Sequence, residues 1–389
     1  MLVFITSLLT FTLTNAVGLV LGDKVIISKN DYEATKKILA LKNFIEKNYY
    51  QPVDSSKLEE GSLRGLFQAL EDPYSVYMSK EEFNELMVHT KGSYGGIGVI
   101  MTPGEDGYIT VVSPIEDTPG DRAGMKPGDK ILKVNGKEVT AEQLEEAVAM
   151  IKGEPGTKVS LTILRSGRNE PFSIQLVREE IRLKTVTSRM LSDGIGYIRI
   201  SMFDEQTSDD FMVQLSELEK NKIKGLIIDL RNNPGGIVDE CVKIADMLLG
   251  EQIIVYTQDR EGNQQVEKSD KKRVSYPYVV LVNEGSASAS EILAGAIQDT
   301  NSGTLVGTKT FGKALVQQIK PLEDGTGFKL TVAQYFTPKG KYIHGKGIQP
   351  DIVQDLPQAL NEKLSITDAE DLQLQKGIEV LKEKIAQGQ

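Results

Sequence analysis

Gly225-Leu226-Ile227-Ile228-Asp229-Leu230-Arg231-Asn232-Asn233-Pro234-Gly235-Gly236 opens as an apolar run and closes on a proline and two glycines. Six residues without polar alternation read as a strand buried on both faces, the kind found in sheets covered by helices. The turn leads into Ile237-Val238-Asp239-Glu240-Cys241, where Ile237, Cys241, Ile244 and Leu248 share one helical face, so a helix is expected over 237–249. Outward from there, Tyr197–Ile200 reads as a strand, Thr207 caps a helix with Phe211, Leu215 and Leu218 on one side, and strands follow at Ile253–Tyr256 and Tyr278–Asn283. Strands separated by full helices predict an α/β layer, with its chemistry at the carboxyl ends of the strands. At such an end, Gly235 and Gly236 precede a helix and expose N–H groups that can stabilise an anion; a plain strand-to-helix turn would use the same residues.

A second strand end leads into Gly285-Ser286-Ala287-Ser288-Ala289-Ser290-Glu291, and then Phe311-Gly312-Lys313-Ala314-Leu315-Val316-Gln317. Ser288 with Glu291 is a capping box before Ile292, Leu293, Ala296 and Ile297. Capping accounts for one serine and leaves two. The chain holds two histidines, His89 and His344, too few for a multi-histidine metal site and a thin supply for a histidine-activated serine. Lysine is the base that remains. No cofactor or metal is expected.

At 389 residues the chain predicts more than one domain, and 40% hydrophobic with 26% charged residues is an ordinary globular composition. A net charge of -10 with no arginine-rich stripe argues against nucleic acid as a partner. The lone Cys241 cannot form an internal disulfide and reads as core packing. From Met1 to Gly22 no side chain is charged, and the run is about long enough to span a bilayer; it reads as a signal peptide or signal anchor. That places the rest of the protein outside the cytoplasm, with the membrane as a partner through this segment.

Residues 23–90 read as a helical region: Asn30 with Glu33 caps Ala34, Ile38, Leu41 and Ile45, and Leu63, Leu66, Phe67 and Leu70 follow. His89 reads as a surface residue. Over 91–182 the signals change to short strands and turns: Tyr94-Gly95-Gly96-Ile97-Gly98-Val99, a strand at Tyr108–Val112, the turn Ala123-Gly124-Met125-Lys126-Pro127-Gly128-Asp129, and Ile131–Lys137 with an Asn-Gly hairpin turn. Thr140 with Gln143 caps a helix carrying Leu144, Ala147, Val148 and Ile151, and Val159–Leu164 is a further strand. Taken together these segments resemble a PDZ domain. The resemblance implies capture of a C-terminal tail as an added strand, its carboxylate held by N–H groups of Gly95, Gly96, Ile97 and Gly98. Arg165, after the last strand, reads as a solvated arginine or as a link to the following core.

Asp-Leu-Arg-x-Asn-Pro-Gly-Gly, Gly-Ser-Ala-Ser-Ala-Ser-Glu, Thr-Phe-Gly-Lys-x-x-Val-Gln and the later Gly345-Lys346-Gly347-Ile348-Gln349-Pro350-Asp351 occur in this order. In that order the chain resembles the carboxy-terminal processing, or tail-specific, proteases over essentially its whole length. The resemblance implies a crotonase/Clp-protease-like α/β core over 183–355 with an inserted, mostly β PDZ domain and an N-terminal helical region. It implies a serine endopeptidase with Ser288 as nucleophile, Lys313 as general base, Gln317 positioning the lysine, and N–H groups of Ala289 and Gly235 or Gly236 as the oxyanion hole. From the residues alone, Ser286 and Ser290 stay open as nucleophiles. A lysine serves as base when desolvation lowers its pKa from about 10.4, and the neighbours Phe311, Ala314, Leu315 and Val316 are apolar. A spacing of four puts Lys313 and Gln317 on one face of a strand or helix, and a neutral glutamine does not restore the lysine's charge as a carboxylate would.

Ala314 stands where the family usually has glycine, so a positive φ at that position would strain the chain. An inactive PDZ scaffold that binds tails without cutting is the alternative this residue raises; a crotonase-like acyl-CoA enzyme is a third reading, opposed by the PDZ-like segment and the apolar N-terminus. His344 reads as structural. The tail over 356–389 reads as helical, with Leu372, Ile378 and Leu381 as sparse anchors that could dock on a second subunit. Expected partners are peptides or proteins with accessible C-termini and a second copy in a homodimer.

Overall fold

A computed structural model describes residues 19–21, 24–26, 28–168, 170–270, 274–357, 360 and 366–388. Most of the apolar run from Met1 to Gly22 lies outside the described residues. Its described part, β1 (Leu19–Leu21), pairs antiparallel with β2 (Lys24–Ile26). Among the described residues no helix is long and apolar enough to cross a membrane.

One compact unit falls within Met1–Ser79 and Lys320–Lys329. It holds α1 (Lys29–Asn48), α2 (Ser55–Gln68) and β3 (Val76–Met78), which pairs with Gly327, Phe328 and Lys329. The cap of α1 is Ser28, whose hydroxyl accepts the Asp31 N–H, so Asn30 lies inside the helix instead of starting it. Ser28 wins because its own backbone is extended (φ -62°, ψ 154°) while Lys29 is already helical. Lys42 donates to Glu59 at 2.5 Å between the two helices, and the Phe67 ring meets Phe328.

The second unit takes Lys80–Ile319 and Leu330–Gln389. After α3 (Lys80–Lys91), on which His89 is exposed, come β4 (Ser93–Gly96), β5 (Val99–Pro103), β6 (Ile109–Pro114), the one-turn α4 (Pro119–Arg122), β7 (Lys130–Val134), β8 (Lys137–Glu138), α5 (Leu144–Ile151), β9 (Lys158–Leu164), β10 (Phe172–Val177) and β11 (Glu179–Arg182). β4 and β11 pair antiparallel and close the segment as a two-stranded stem. Inside it, a sheet ordered β10-β9-β7-β6-β5 leaves β5 at an edge, as a strand-adding groove requires. Asn135 and Gly136 have φ of 51° and 82°, the two positive values that an Asn-Gly hairpin turn needs. Ile97, Ile109, Ile131, Leu161 and Ile163 build a hydrophobic core belonging to this segment alone. Arg165 is partly exposed and pairs within its own segment instead of linking to the next core: it forks onto the buried Asp129 at 2.6 and 2.7 Å and donates to the Gly124 carbonyl. The carboxylate lies under the turn at 124–129, and that turn fixes the arginine.

The remaining elements are β12 (Val186–Met190), β13 (Ile195–Ile200), α6 (Thr207–Lys220), β14 (Gly225–Asp229), α7 (Val238–Leu248), β15 (Ile253–Asp259), β16 (Gln264–Lys268), β17 (Tyr278–Val282), α8 (Ala289–Thr300), β18 (Thr304–Gly307), β19 (Leu315–Pro321), β20 (Gly327–Phe336), β21 (Ile352–Val353) and α9 (Leu372–Ala386). The central sheet runs β12-β13-β14-β17-β18-β21, parallel except for β12. Alternate residues explain its burial. Ile198, Ile228 and Val280 join Phe211, Ile244 and Leu293 of α6, α7 and α8 in one core. Tyr197, Ile227, Val279 and Leu281 join Leu374, Val380 and Leu381 of α9 in another. The tail therefore covers its own sheet instead of waiting for a second subunit. Gly377 makes this approach close, since a Cβ there would sit 3.0 Å from Leu281. β15 departs from the expected layer: it pairs antiparallel with β16 and with Ala333–Phe336 of β20.

Candidate active site

β14 and β17 are parallel neighbours, with Asp229 opposite Leu281, so the two loops singled out in the sequence leave the sheet side by side. Polar stitches hold them together. Ser286 Oγ donates to the Leu230 carbonyl at 2.8 Å and accepts the Asn283 N–H, while Ser290 Oγ donates to the Asn233 carbonyl at 3.0 Å. The same carbonyl accepts the Ala287 N–H. Both flanking serines are fully buried, and their hydroxyls are committed to backbone carbonyls. Ser288 alone of the three is half-exposed.

Ser288 precedes α8 with φ 54° and ψ -115°, a sharp turn that few non-glycine residues adopt and that the surroundings must hold. Two groups do so. The Glu291 carboxylate, fully buried, accepts from the N–H of Ser288 (3.0 Å), Gly312 (2.7 Å) and Lys313 (2.8 Å) and from the Thr310 hydroxyl (2.6 Å). The Tyr335 hydroxyl reaches the carbonyls of Lys313 (2.7 Å) and Ser288 (3.0 Å). Burial first, and then the charge of Glu291, pushes the Tyr335 phenol well above its usual range, so it stays a donor. Sequence reasoning saw Glu291 only as a capping partner and missed Tyr335; nothing in the Tyr335-Phe336 pair marks one ring from the other.

Lys313 is half-buried, and its Nζ donates to Gln317 Oε1 at 2.9 Å. Gln317 lies in β19, whereas Lys313 precedes that strand by two residues, so the hydrogen bond and not strand periodicity brings the pair together. Of the apolar neighbours, Ala314 is fully buried, Leu315 and Val316 are half-buried, and Phe311 is 55% exposed. Ala314 is not among the residues of positive φ; its carbonyl accepts the Tyr335 N–H and its own N–H lies 3.4 Å from His344 Nδ1. The left-handed position in this loop is Gly312, at φ 91°. Alanine after the lysine is thus unstrained, and His344 sits against the backbone of this loop.

Gly235 has φ 99°, and a Cβ there would lie 2.8 Å from Ser288 Cβ and 2.9 Å from the Ala289 nitrogen. The glycine loop thus presses on the Ser288 turn. The Gly235 N–H donates to Asn233 Oδ1 at 2.9 Å; among the described residues the N–H groups of Gly236 and Ala289 meet no acceptor. Gly236 is fixed from the other side, where the Phe203 N–H donates to Gly235 O and the Ile237 N–H to Phe203 O. Cys241, fully buried, donates its thiol to the Ala289 carbonyl at 3.0 Å, and burial pushes that thiol's pKa up. It packs the helix and takes no part in chemistry.

The second glycine cluster lies elsewhere, at the entry to the inserted segment. Gly95 and Gly96 belong to β4, opposite Glu180 and Glu179. Ile97 and Gly98 form the turn into β5; their carbonyls accept from Gly120 and Ile115, while among the described residues their N–H groups meet no acceptor. A Cβ on Gly98 (φ 67°) would collide with Thr118 at 2.3 Å. Among the described residues no cluster of His, Cys, Asp or Glu could hold a metal ion.

An α/β core that carries an inserted PDZ domain is the architecture of a serine peptidase of the processing type. Family models agree: peptidase family S41 matches residues 194–354, the PDZ domain 110–165, and the activating protease CtpB N-terminal domain 20–82. The chain is 40% identical to the carboxy-terminal processing protease CtpA of Bacillus subtilis (strain 168) over 328 residues, 84% of this chain and 70% of that protein. It is also 40% identical to a carboxy-terminal-processing protease of Bartonella bacilliformis over 343 residues, 85% of this chain and 78% of the relative. A solved photosystem II D1 C-terminal processing protease superposes with a TM-score of 0.49 at 28% identity, covering 85% of this chain and 95% of its own. The chain belongs to the carboxy-terminal processing proteases of peptidase family S41.

Proposed function

We propose that the protein cleaves peptide bonds of exported proteins through a Ser288–Lys313 acyl-enzyme mechanism, with their C-terminal tails held by the PDZ domain. The observation that carries the reading is the division of labour among three serines: Ser286 and Ser290 donate their hydroxyls to carbonyls, whereas among the described residues Ser288, half-exposed at a strained turn, donates to none. Ser288 Oγ attacks the scissile carbonyl carbon, and its proton passes to neutral Lys313 Nζ. The resulting oxyanion takes the N–H groups of Ala289 and Gly236; Gly235 serves by its small size, because its N–H is already given to Asn233. Collapse breaks the C–N bond as the Lys313 ammonium returns the proton to the leaving amine. Water then attacks the ester carbonyl, giving a proton to Lys313, and the ester C–O bond breaks as the ammonium returns that proton to Ser288 Oγ, which releases the carboxylic acid and restores neutral Lys313. Gln317 accepts from the lysine and fixes its direction without adding a counter-charge.

For the tail carboxylate, the N–H groups of Ile97 and Gly98 are the donors best placed, with Gly95 and Gly96 shaping the approach. Placement outside the cytoplasm rests on the apolar run from Met1 to Gly22. A homodimer rests on α1, none of whose residues is buried and whose Ile38, Leu41 and Phe44 are exposed.

The test is cleavage of an unstructured peptide with apolar C-terminal residues. Ser288→Ala and Lys313→Ala are expected to abolish turnover, while Ser286→Ala and Ser290→Ala keep a measurable rate at lower stability. Full turnover by Ser288→Ala or Lys313→Ala sinks the mechanism. Unchanged tail affinity after removal of residues 94–180 sinks the PDZ assignment, and fractionation with light scattering decides the location and the dimer.

A further inference from the structure

We propose that Tyr335 is a positioning residue for this reaction: its single hydroxyl, lying between the carbonyls of Ser288 and Lys313, fixes the separation of nucleophile and base. The inference rests on the Ser288–Lys313 reading above.

The geometry closes from both sides of the chain. On the N–H side, one oxygen of Glu291 accepts from both Ser288 and Lys313, at 3.0 and 2.8 Å. On the carbonyl side, one oxygen of Tyr335 meets the same two residues, at 3.0 and 2.7 Å. Nucleophile and base are 25 positions apart in sequence, on a helix N-terminus and a strand entry, and the backbone bond that joins their loops, from the Phe311 N–H to the Ser286 carbonyl at 3.0 Å, lies two residues before each. The carboxylate ties the N–H groups of the two residues, on the peptide units that precede them, and the phenol ties their carbonyls, on the peptide units that follow. The Ser288 carbonyl also accepts from the N–H groups of Glu291 and Ile292.

Tyr335 is itself held still. It is 1% exposed, packed in the main core, and its own N–H donates to the Ala314 carbonyl, so backbone and side chain of one β20 residue grip two consecutive residues of the lysine loop. A proton transfer between Ser288 Oγ and Lys313 Nζ needs heavy atoms within about 2.6–3.2 Å, and a displacement of about 1 Å is enough to lower rates a hundredfold. The hydroxyl therefore acts on the rate through the distance it sets, without touching substrate.

The experiment compares Tyr335→Phe with Tyr278→Phe in the full chain. Tyr278 is a fully buried tyrosine of the same core whose hydroxyl donates to the Leu248 carbonyl, away from the serine and lysine. Both variants lose one buried hydroxyl, so both report its cost to stability. Tyr335→Phe is expected to lower kcat at least about tenfold with KM unchanged. Its serine is also expected to react more slowly with a fluorophosphonate. Tyr278→Phe is expected to keep the kcat and the fluorophosphonate rate of the parent. Parental kcat and labelling rate in Tyr335→Phe, or an equal fall in both variants, overturns the proposal. Ser288→Ala and Lys313→Ala run beside them separate the two ideas: if these are inactive while Tyr335→Phe behaves as the parent, the mechanism stands and only the positioning role is lost.

Discussion

Single residues in this site are chosen as much for what they leave out as for what they bring. Gly235 is the clearest case, because its left-handed φ and its contact with Ser288 each exclude a side chain. Gly235→Ala is expected to push the glycine loop off the nucleophile turn and to cost roughly a hundredfold or more in kcat, the loss typical of a displaced oxyanion donor. Steady-state cleavage kinetics decide it; a rate equal to the parent's means that the loop does not border the reacting carbonyl. Ala314 gives the opposite lesson. The sequence raised it as a departure that a positive φ would punish, but the left-handed residue is Gly312, two positions earlier. Restoring the family's usual residue, Ala314→Gly, is therefore expected to give no gain in activity and to lower stability by about 0.5–1 kcal/mol through backbone entropy. A thermal midpoint above the parent's would show that the alanine is strained after all.

At the scale of elements, α9 is held to the sheet by a buried charge network as well as by apolar packing. Arg231 lies between Asp229 (2.6 and 2.9 Å) and Asp371 (2.8 and 2.8 Å), and Tyr197 donates to Asp229 at 2.7 Å. Asp371 is also the cap of α9, accepting the Leu374 N–H, so one residue starts the helix and fastens it. Arg231→Met leaves two buried carboxylates facing each other and is expected to cost about 3–5 kcal/mol in urea unfolding. pH acts on the same network. Burial works to raise the pKa of Asp229, but the hydrogen bonds and charge of Arg231 outweigh it and hold the carboxyl below its ordinary value. A carboxyl depressed in the folded state contributes stability that is complete above its unfolded pKa, about 3.9, and lost as pH falls through the folded one. Protection of α9 amides from hydrogen exchange is expected to persist at pH 5 and to fall below about pH 4; uniform protection down to acid unfolding would show that packing alone holds the helix. The attachment was invisible in the sequence, because Arg231 and Asp371 lie 140 positions apart. The sparse leucines of the tail looked like anchors for another chain, yet Leu381 packs on the protein's own sheet. The buried strands were legible for the converse reason, since unbroken apolar runs such as Leu226-Ile227-Ile228 serve both faces at once.

At the scale of the whole molecule, residues 93–182 form a body with its own stem and its own core. Ser288, Lys313 and the glycine loop were legible as local motifs at strand ends, and so was the hairpin turn at Asn135-Gly136, because each is written in neighbouring residues. What the sequence could not show is how completely residues 93–182 close on themselves. The chain enters by β4 and leaves by β11, which pair with each other, so both crossings lie in one stem. The core between them draws on Ile97, Ile109, Ile131, Leu161 and Ile163 and shares no buried hydrophobic residue with the cores that cover the central sheet. Its buried carboxylate, Asp129, is answered by Arg165 from the same segment, and Arg178, also buried, donates to the carbonyls of Met150, Ile151 and Lys158. A segment of roughly ninety residues that satisfies its own apolar surface and its own buried charge falls in the range where single domains fold unaided. Residues 92–183 expressed alone are therefore expected to unfold in one cooperative thermal transition and to bind a peptide with a free, apolar C-terminus more tightly than its C-terminal amide, the N–H groups of Ile97 and Gly98 being offered to the carboxylate. Arg165→Met in this fragment leaves Asp129 buried without its cation and is expected to lower the midpoint of that transition. Calorimetry and peptide titration read both results. A fragment that stays unfolded would mean that the stem needs the catalytic core to hold it, and a folded fragment indifferent to the amide would place tail capture elsewhere in the molecule.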